Sequence, residues 1–306
     1  MSTMNLSVVT SNLERGHQDK QLKDDVNWII KNFKPDVWGL QETKDYVDML
    51  NGLGPAYKLA LPKNPPVGSR DNAILYNADR MRLISVNARF AGSGGNLTDR
   101  YINVAHFRER NHGVDVYLFN THIFPHIEVG GHHRDYKNTG PAIDHIKLLA
   151  QMVKDVATKD NSATFWCGDF NIDEDADDRV EAPGFMQKTF DKFGLLSIYD
   201  ELKTPASFDT HDKRKIDIIG SHKADARVKA KGVRRAPKMT SDHRYVEGTY
   251  EFSGVKDGGS PKDPTATPGS PTNPEQDPDP TSVKQAFEKD KGSTIDHSDC
   301  CGGEYA

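Results

Sequence analysis

Apolar positions recur along the chain with two different periods, and the switch between them predicts the elements. Residues 5–10 alternate apolar and polar and predict a strand that leaves Ser11 and Asn12 at its end. Leu22, Val26, Ile29, Ile30 and Phe33 then return at steps of three and four, so residues 18–33 read as an amphipathic helix closed by Pro35, with Trp28 in the core or at its rim. Residues 36–42 predict a short buried strand ending in Gln41-Glu42, and residues 72–77, 81–90, 101–108 and 115–122 predict four more. A helix is expected from Pro141, a favoured first-turn residue, to about Thr158. The apolar run Ala163-Thr-Phe-Trp-Cys167 then reads as a central strand, which reaches Gly168 and delivers Asp169 and Asn171. Those two would project from one face if strand geometry continues. A helix over 183–193 and strands over 215–220 and 244–252 complete the pattern.

The strand ends carry the chemistry. Asn12, Glu42, Asn120-Thr121-His122, Asp169 with Asn171, Asp217 and Ser241-Asp242-His243 all close or open hydrophobic runs. Each alone has an ordinary explanation as a polar exit. Together they are what a sheet-based active site collects at one edge. Other motifs carry less. The group Gly92, Gly94, Gly95 lacks the Lys-Ser/Thr of a phosphate-cradling loop and reads as a hairpin. The acidic run 173–178 has Asp178 and Gly184 where a calcium loop needs Gly and Glu, so a solvated loop is expected. His126, His132 and His133 read as a polar loop after His122, with a second metal site as the alternative.

Charge alters this picture in one place. The net charge of −5 resides entirely in residues 253–306, which leaves 1–252 neutral. Within that neutral body, residues 211–244 hold eleven Lys and Arg against four Asp, a local basic field suited to several phosphates in a row. From residue 254 onward prolines alternate with Asp, Gly, Ser and Thr, a composition that cannot bury a core. We therefore expect a folded catalytic domain over 1–252 and a disordered Pro/Asp/Gly-rich tail over 253–306, either docking peptide or plain tail. No apolar run approaches ~20 residues, so no membrane span is expected. The first residues lack a secretory pattern, and the three cysteines, Cys167 and the pair Cys300-Cys301, form no disulfide framework. A reducing, cytoplasmic setting and a monomer are expected. The Cys300-Cys301 pair either ligates metal or does nothing.

The ordered series Ser11-Asn12, Gln41-Glu42, Asn120-Thr-His122, Gly168-Asp-Phe-Asn171, Lys215-Ile-Asp217 and Ser241-Asp-His243 resembles the endonuclease/exonuclease/phosphatase superfamily over residues 4–252. The resemblance implies the DNase-I-like α/β (α+β) fold: a four-layer αββα sandwich of two mostly antiparallel sheets flanked by helices. It implies a divalent ion, Mg2+ with Mn2+ as the alternative, on Glu42 helped by Asn12 and Asp242. It further implies that Asp169 orients or deprotonates water, that Asn171 holds a phosphate oxygen, and that His243 pairs with Asp217. His122 would be an acid or phosphate ligand, supported by a carboxylate for which Asp71 is the nearest candidate. Lys215, Arg234 and Arg235 would contact substrate.

Two departures narrow the choice. His122 stands where members that repair abasic DNA carry Tyr, and 213–217 lacks the Trp-Cys-Asp-Arg block of inositol-polyphosphate phosphatases. The leading expectation is a low-specificity nuclease with nucleic acid, DNA before RNA, as partner. The runner-up is a phosphodiesterase or phosphatase for lipid or small-molecule phosphates. The third reading is a non-catalytic binding module.

Overall fold

The computed structural model describes residues 2–94, 99–128, 136–157, 162–179 and 184–255. Gly95, His132, His133, Pro183 and nearly all of the tail, with Cys300 and Cys301, lie outside the described residues. In chain order the first part runs β1 (Ser2–Asn12), α1 (Asp19–Asn32), β2 (Val37–Gln41), α2 (Val47–Asn51), β3 (Tyr57–Ala60), a 3-10 turn (Val67–Asn72), β4 (Ile74–Asn77), β5 (Met81–Gly92), β6 (Arg100–Glu109) and β7 (Asp115–His122). There follow α3 (Tyr136–Ala157), β8 (Ser162–Asp169), a second 3-10 turn (Glu174–Arg179), α4 (Phe185–Phe193), β9 (Leu195–Ser197), α5 (Ile198–Leu202), β10 (Asp217–His222), β11 (Val228–Arg235) and β12 (Val246–Val255).

The strands form two six-stranded sheets, β11-β12-β1-β2-β4-β3 and β5-β6-β7-β8-β10-β9. In each sheet the central pair is parallel, β1 with β2 and β7 with β8, and every other neighbour is antiparallel. The four central strands pack across the sandwich, β1 against β8 and β2 against β7. Helix α1 buries Leu22, Val26 and Ile29 against Val9, Trp38 and Leu40 of the first sheet, each side chain contributing about 1.5–3 kcal/mol of transfer energy. Helix α3 lies along the second sheet and packs α4 against it.

Polar groups staple the two sheets together. Gln41 Nε2 donates to Asn120 Oδ1 at 2.6 Å, and Asn120 Nδ2 donates to the carbonyls of Leu40 and Ala73 at 2.8 Å. All of these atoms are buried, so each bond satisfies a group that would otherwise cost its full desolvation. Asn120, met in the sequence as one of the polar strand ends, is thus a structural bridge. Gly39 permits it, because a β-carbon there would meet Cys167 Sγ and Asn120 Oδ1.

Several sequence expectations shift. Pro141 lies inside α3 rather than opening it, because within the second turn its missing N–H forfeits at most one helical bond. The central strand stops at Asp169, and Asn171 has a left-handed backbone with φ 54°. Its N–H turns back to cap Asp169 Oδ1 at 2.9 Å, an arrangement that a continued strand forbids. The acidic segment after it is structural: Asp173 Oδ1 accepts from the N–H of Lys215, and Asp175 pairs with Lys215 Nζ. Strands β3, β9 and β11 had no clear period in the sequence. Each is an edge strand whose pairing comes from its one neighbour. Trp28 is at the rim, edge-on to Phe33.

Candidate active site

Parallel pairing in both sheet centres brings four strand ends to one rim. Asn12 and Gln41 are register partners at the ends of β1 and β2, and His122 and Asp169 at the ends of β7 and β8. β10 runs antiparallel to β8, so its first residue, Asp217, is the partner of Asp169 from the other side. The segment before β12 is pinned to the same place: Ser241 Oγ donates to the Asn12 carbonyl at 2.8 Å and accepts the N–H of His243 at 3.1 Å. Gly168 of the Gly-Asp-Phe-Asn motif is required here. Its φ is 156°, and a side chain would strike the Thr121 carbonyl of the neighbouring strand.

Asp169 is the hub. Its Oδ2 accepts from Asn12 Nδ2 at 3.0 Å, faces His122 Nε2 at 3.4 Å and lies 3.9 Å from His243 Nε2. Burial raises the Asp169 carboxyl to about 6; the positive charge of His243 opposes the shift and the charge of Asp217 adds to it. Burial alone would lower His243. The Asp217 carboxylate, bonded to Nδ1 through both oxygens at 2.9 and 3.1 Å, reverses this, and with Asp169 and Asp242 it lifts the imidazole to about 10. Asn171 anchors its amide on the Ile123 carbonyl at 3.1 Å.

Glu42 has a left-handed backbone (φ 59°) that turns its carboxylate into the cleft, 24% exposed. It accepts from Asn12 Nδ2 at 3.2 Å and from the N–H of Arg15 at 3.1 Å. Asn12 therefore bridges Glu42 and Asp169 as a donor, and its own Oδ1 is taken by the N–H of Glu14.

Among the described residues two groups of donors lie close enough to share an ion, His211-Asp242-His243 and Asp169-Asp217-His243, and Glu42 belongs to neither. In the second, Asp217 is spent on His243. In the first, His211 Nδ1 is 2.9 Å from Arg214, which can only donate, so the ring proton sits on Nε2 and is given to Asp242 Oδ2 at 3.1 Å. The open oxygen donors are thus Glu42 and the 52% exposed Asp242. Carboxylates with room for retained water suit a hard divalent cation.

The basic residues expected to contact substrate have acidic partners within the fold. Lys215 is buried on Asp175 and the Thr204 carbonyl, Arg234 pairs with the buried Glu247, and Arg235 pairs with Asp209. Each of the three thus has an internal acidic partner, Arg234 and Arg235 while keeping part of their surface exposed. The Asp71 carboxylate pairs with Arg15 at 2.5 Å, while His122 Nδ1 faces Arg100 at 3.0 Å.

Three further arginines stand at the site, Arg15, Arg100 and Arg214, the last held by Glu128 at 3.1 Å. None of these, nor His211 stacked on His243 at 4.3 Å, stood in a recognisable motif. Arg100 immediately precedes the strand expected from Tyr101, and His211 and Arg214 belong to the basic segment, which are the only signals the sequence offers.

Solved structures share this fold. An endonuclease/exonuclease/phosphatase family protein from Bacteroides thetaiotaomicron is 16% identical, with 84% of this chain and 98% of that one covered, at a TM-score of 0.62. A mannosyl-6-phosphatase from the same organism is 16% identical over 80% and 99%, at 0.60. TDP2 of D. rerio, complexed with a single-strand DNA product, is 14% identical over 80% and 98%, at 0.60. No match is found among curated proteins. The model of the endonuclease/exonuclease/phosphatase family matches residues 9–274, which include every residue of the rim. With that span and the strand-end constellation in place, the chain belongs to the endonuclease/exonuclease/phosphatase family, a family of hydrolases that act on phosphate esters.

Proposed function

We propose that this chain is a divalent-metal-dependent phosphodiesterase that cleaves nucleic acid, DNA before RNA. The observation that supports it is the meeting of Glu42, Asp169, His122 and the Asp217-His243 pair at one rim. Glu42 and Asp242 would hold Mg2+ or Mn2+, which when bound neutralises charge on the phosphate and on the departing oxygen.

Asp169 is the general base. An acid raised to about 6 is ionised at neutral pH yet basic enough to take a proton from water. His243, raised to about 10, already carries its proton and is the fixed positive charge facing the phosphate. Water attacks phosphorus, its proton passes to Asp169, and the phosphorus–oxygen ester bond breaks with its electron pair going to the departing oxygen, which takes a proton from solvent. His211 and Arg214 hold Asp242 in place.

A smaller phosphate ester is the second reading. What favours it is the loss of Lys215, Arg234 and Arg235 to internal pairs, which shortens the cationic track available to a polymer. Plasmid nicking, oligonucleotide digestion and sugar-phosphate hydrolysis, each with Mg2+ or chelator and repeated for Asp169→Asn and His243→Ala, distinguish the two. Metal-dependent nicking lost in both variants supports the nuclease. Turnover of sugar phosphate alone overturns it.

A further inference from the structure

Arg100 opens β6 and is 6% exposed, with its guanidinium turned inward. Its terminal nitrogen lies 3.0 Å from His122 Nδ1. A guanidinium carries five N–H donors and no acceptor, and it does not release its proton in proteins. The imidazole must therefore accept at Nδ1, and its one proton must sit on Nε2. That proton faces Asp169 Oδ2 at 3.4 Å, at the hub of the cleft. Adding a proton at Nδ1 would oppose two N–H groups and two positive charges at hydrogen-bond distance.

The geometry points to Arg100 as a positioning residue that locks His122 in the neutral Nε2–H tautomer, making His122 a permanent hydrogen-bond donor to a phosphoryl oxygen and not a proton source for the leaving group. This rests on the phosphodiesterase reading of the site. A carboxylate partner at Nδ1 would do the opposite, since it favours the imidazolium. Asp71, the carboxylate expected from the sequence to support His122, is engaged by Arg15.

The surroundings of His122 agree. Burial, followed by the charges of Arg100, His243, Arg15 and His145, holds it well below the ordinary histidine range. Asp169 is the acidic group in contact with it. Burial lowers Arg100 from the ordinary guanidinium value, and the charges of Asp71, Asp169 and Glu42 oppose that effect. Among the described residues Arg100 Nε has no hydrogen-bond partner, and the bond to His122 orients the guanidinium as well as the ring.

The test is nitrogen–proton correlation NMR on the full chain with 15N-labelled histidine, the His122 signals being assigned by their absence in His122→Gln. The expected result is an unprotonated Nδ1 and a protonated Nε2 that do not change between about pH 5 and 8, where an ordinary histidine changes charge. An Nδ1–H tautomer, or a titration of His122 in that window, overturns the proposal. This readout needs no substrate, so it is independent of whether the chain cleaves DNA. Arg100→Gln offers an acceptor as well as a donor, so it should release the lock: His122 then titrates, and the profile of kcat/KM gains an ionisation in that window. Arg100→Lys, which donates only, should restore the wild-type spectrum and profile. An Arg100→Gln variant with an unaltered His122 spectrum assigns the tautomer to another cause and overturns the role of Arg100.

Discussion

Asp217 grips His243 Nδ1 with both carboxylate oxygens, at 2.9 and 3.1 Å, although 26 residues separate them. The first residue of β10 thereby sets the charge of a histidine that precedes β12. Replacing Asp217 by Asn keeps the shape and removes the charge, so the imidazole loses the partner that outweighs its burial. The expected outcome is a fall in kcat of about 10²–10⁴-fold with little change in KM, checked by steady-state kinetics at saturating Mg2+.

Stability should respond to pH in a direction set by the same pair. His243 has a folded pKa of about 10 against an ordinary 6.5, so its contribution is fully present below about pH 6.5 and is lost as pH rises through 10. Urea unfolding followed from pH 7 to 10 should show wild type losing stability over that range. Asp217→Asn should be less stable at pH 7 and lose less.

Asp169 acts in the same direction at lower pH. Its folded pKa, near 6 against 3.8, means that stability falls as pH rises from about 4 to 6, and the ionised carboxylate destabilises the fold above that. Asp169→Asn should therefore melt higher than wild type at pH 7 while losing activity. In wild type, kcat/KM should rise through about pH 6 and fall near 10.

Glu42 is the carboxylate on which metal binding is expected to depend most. In a thermal melt, added Mg2+ should raise the wild-type transition by mass action and leave Glu42→Gln nearly unmoved. An equal shift in both proteins would relocate the ion.

The arginines should divide by position and not by charge. Arg15 is 40% exposed at the rim, and Arg15→Ala should raise KM about 10-fold or more for a phosphate substrate. Arg234→Ala should leave KM unchanged. It should cost about 1–3 kcal/mol of stability, toward the low end because the guanidinium is half exposed, by depriving buried Glu247 of a partner.

Gly39→Ala tests the staple between the sheets. The added methyl must displace Asn120 or Cys167 in a packed interior, at a cost of about 1–3 kcal/mol measured by denaturant unfolding.

The chain's own order of residues was enough to reveal the long strands, α1 and the polar strand ends, because period and punctuation are local properties. Residues 115–122 and Leu22, Val26 and Ile29 advertise their faces without reference to anything distant. Gly-Asp-Phe-Asn and Ser-Asp-His were legible for the same reason: a backbone conformation or a cap is decided within a few residues.

What only the tertiary structure decided is partnership. Arg234 and Arg100 look alike as letters, yet one is spent on Glu247 and the other faces His122, because cross-strand register and sheet packing choose the neighbour. Asn12 likewise became a donor between Glu42 and Asp169 only once β1, β2 and β8 ended at the same rim. Charge and tautomer follow from contacts made across up to 157 residues of sequence, and no local pattern encodes such contacts.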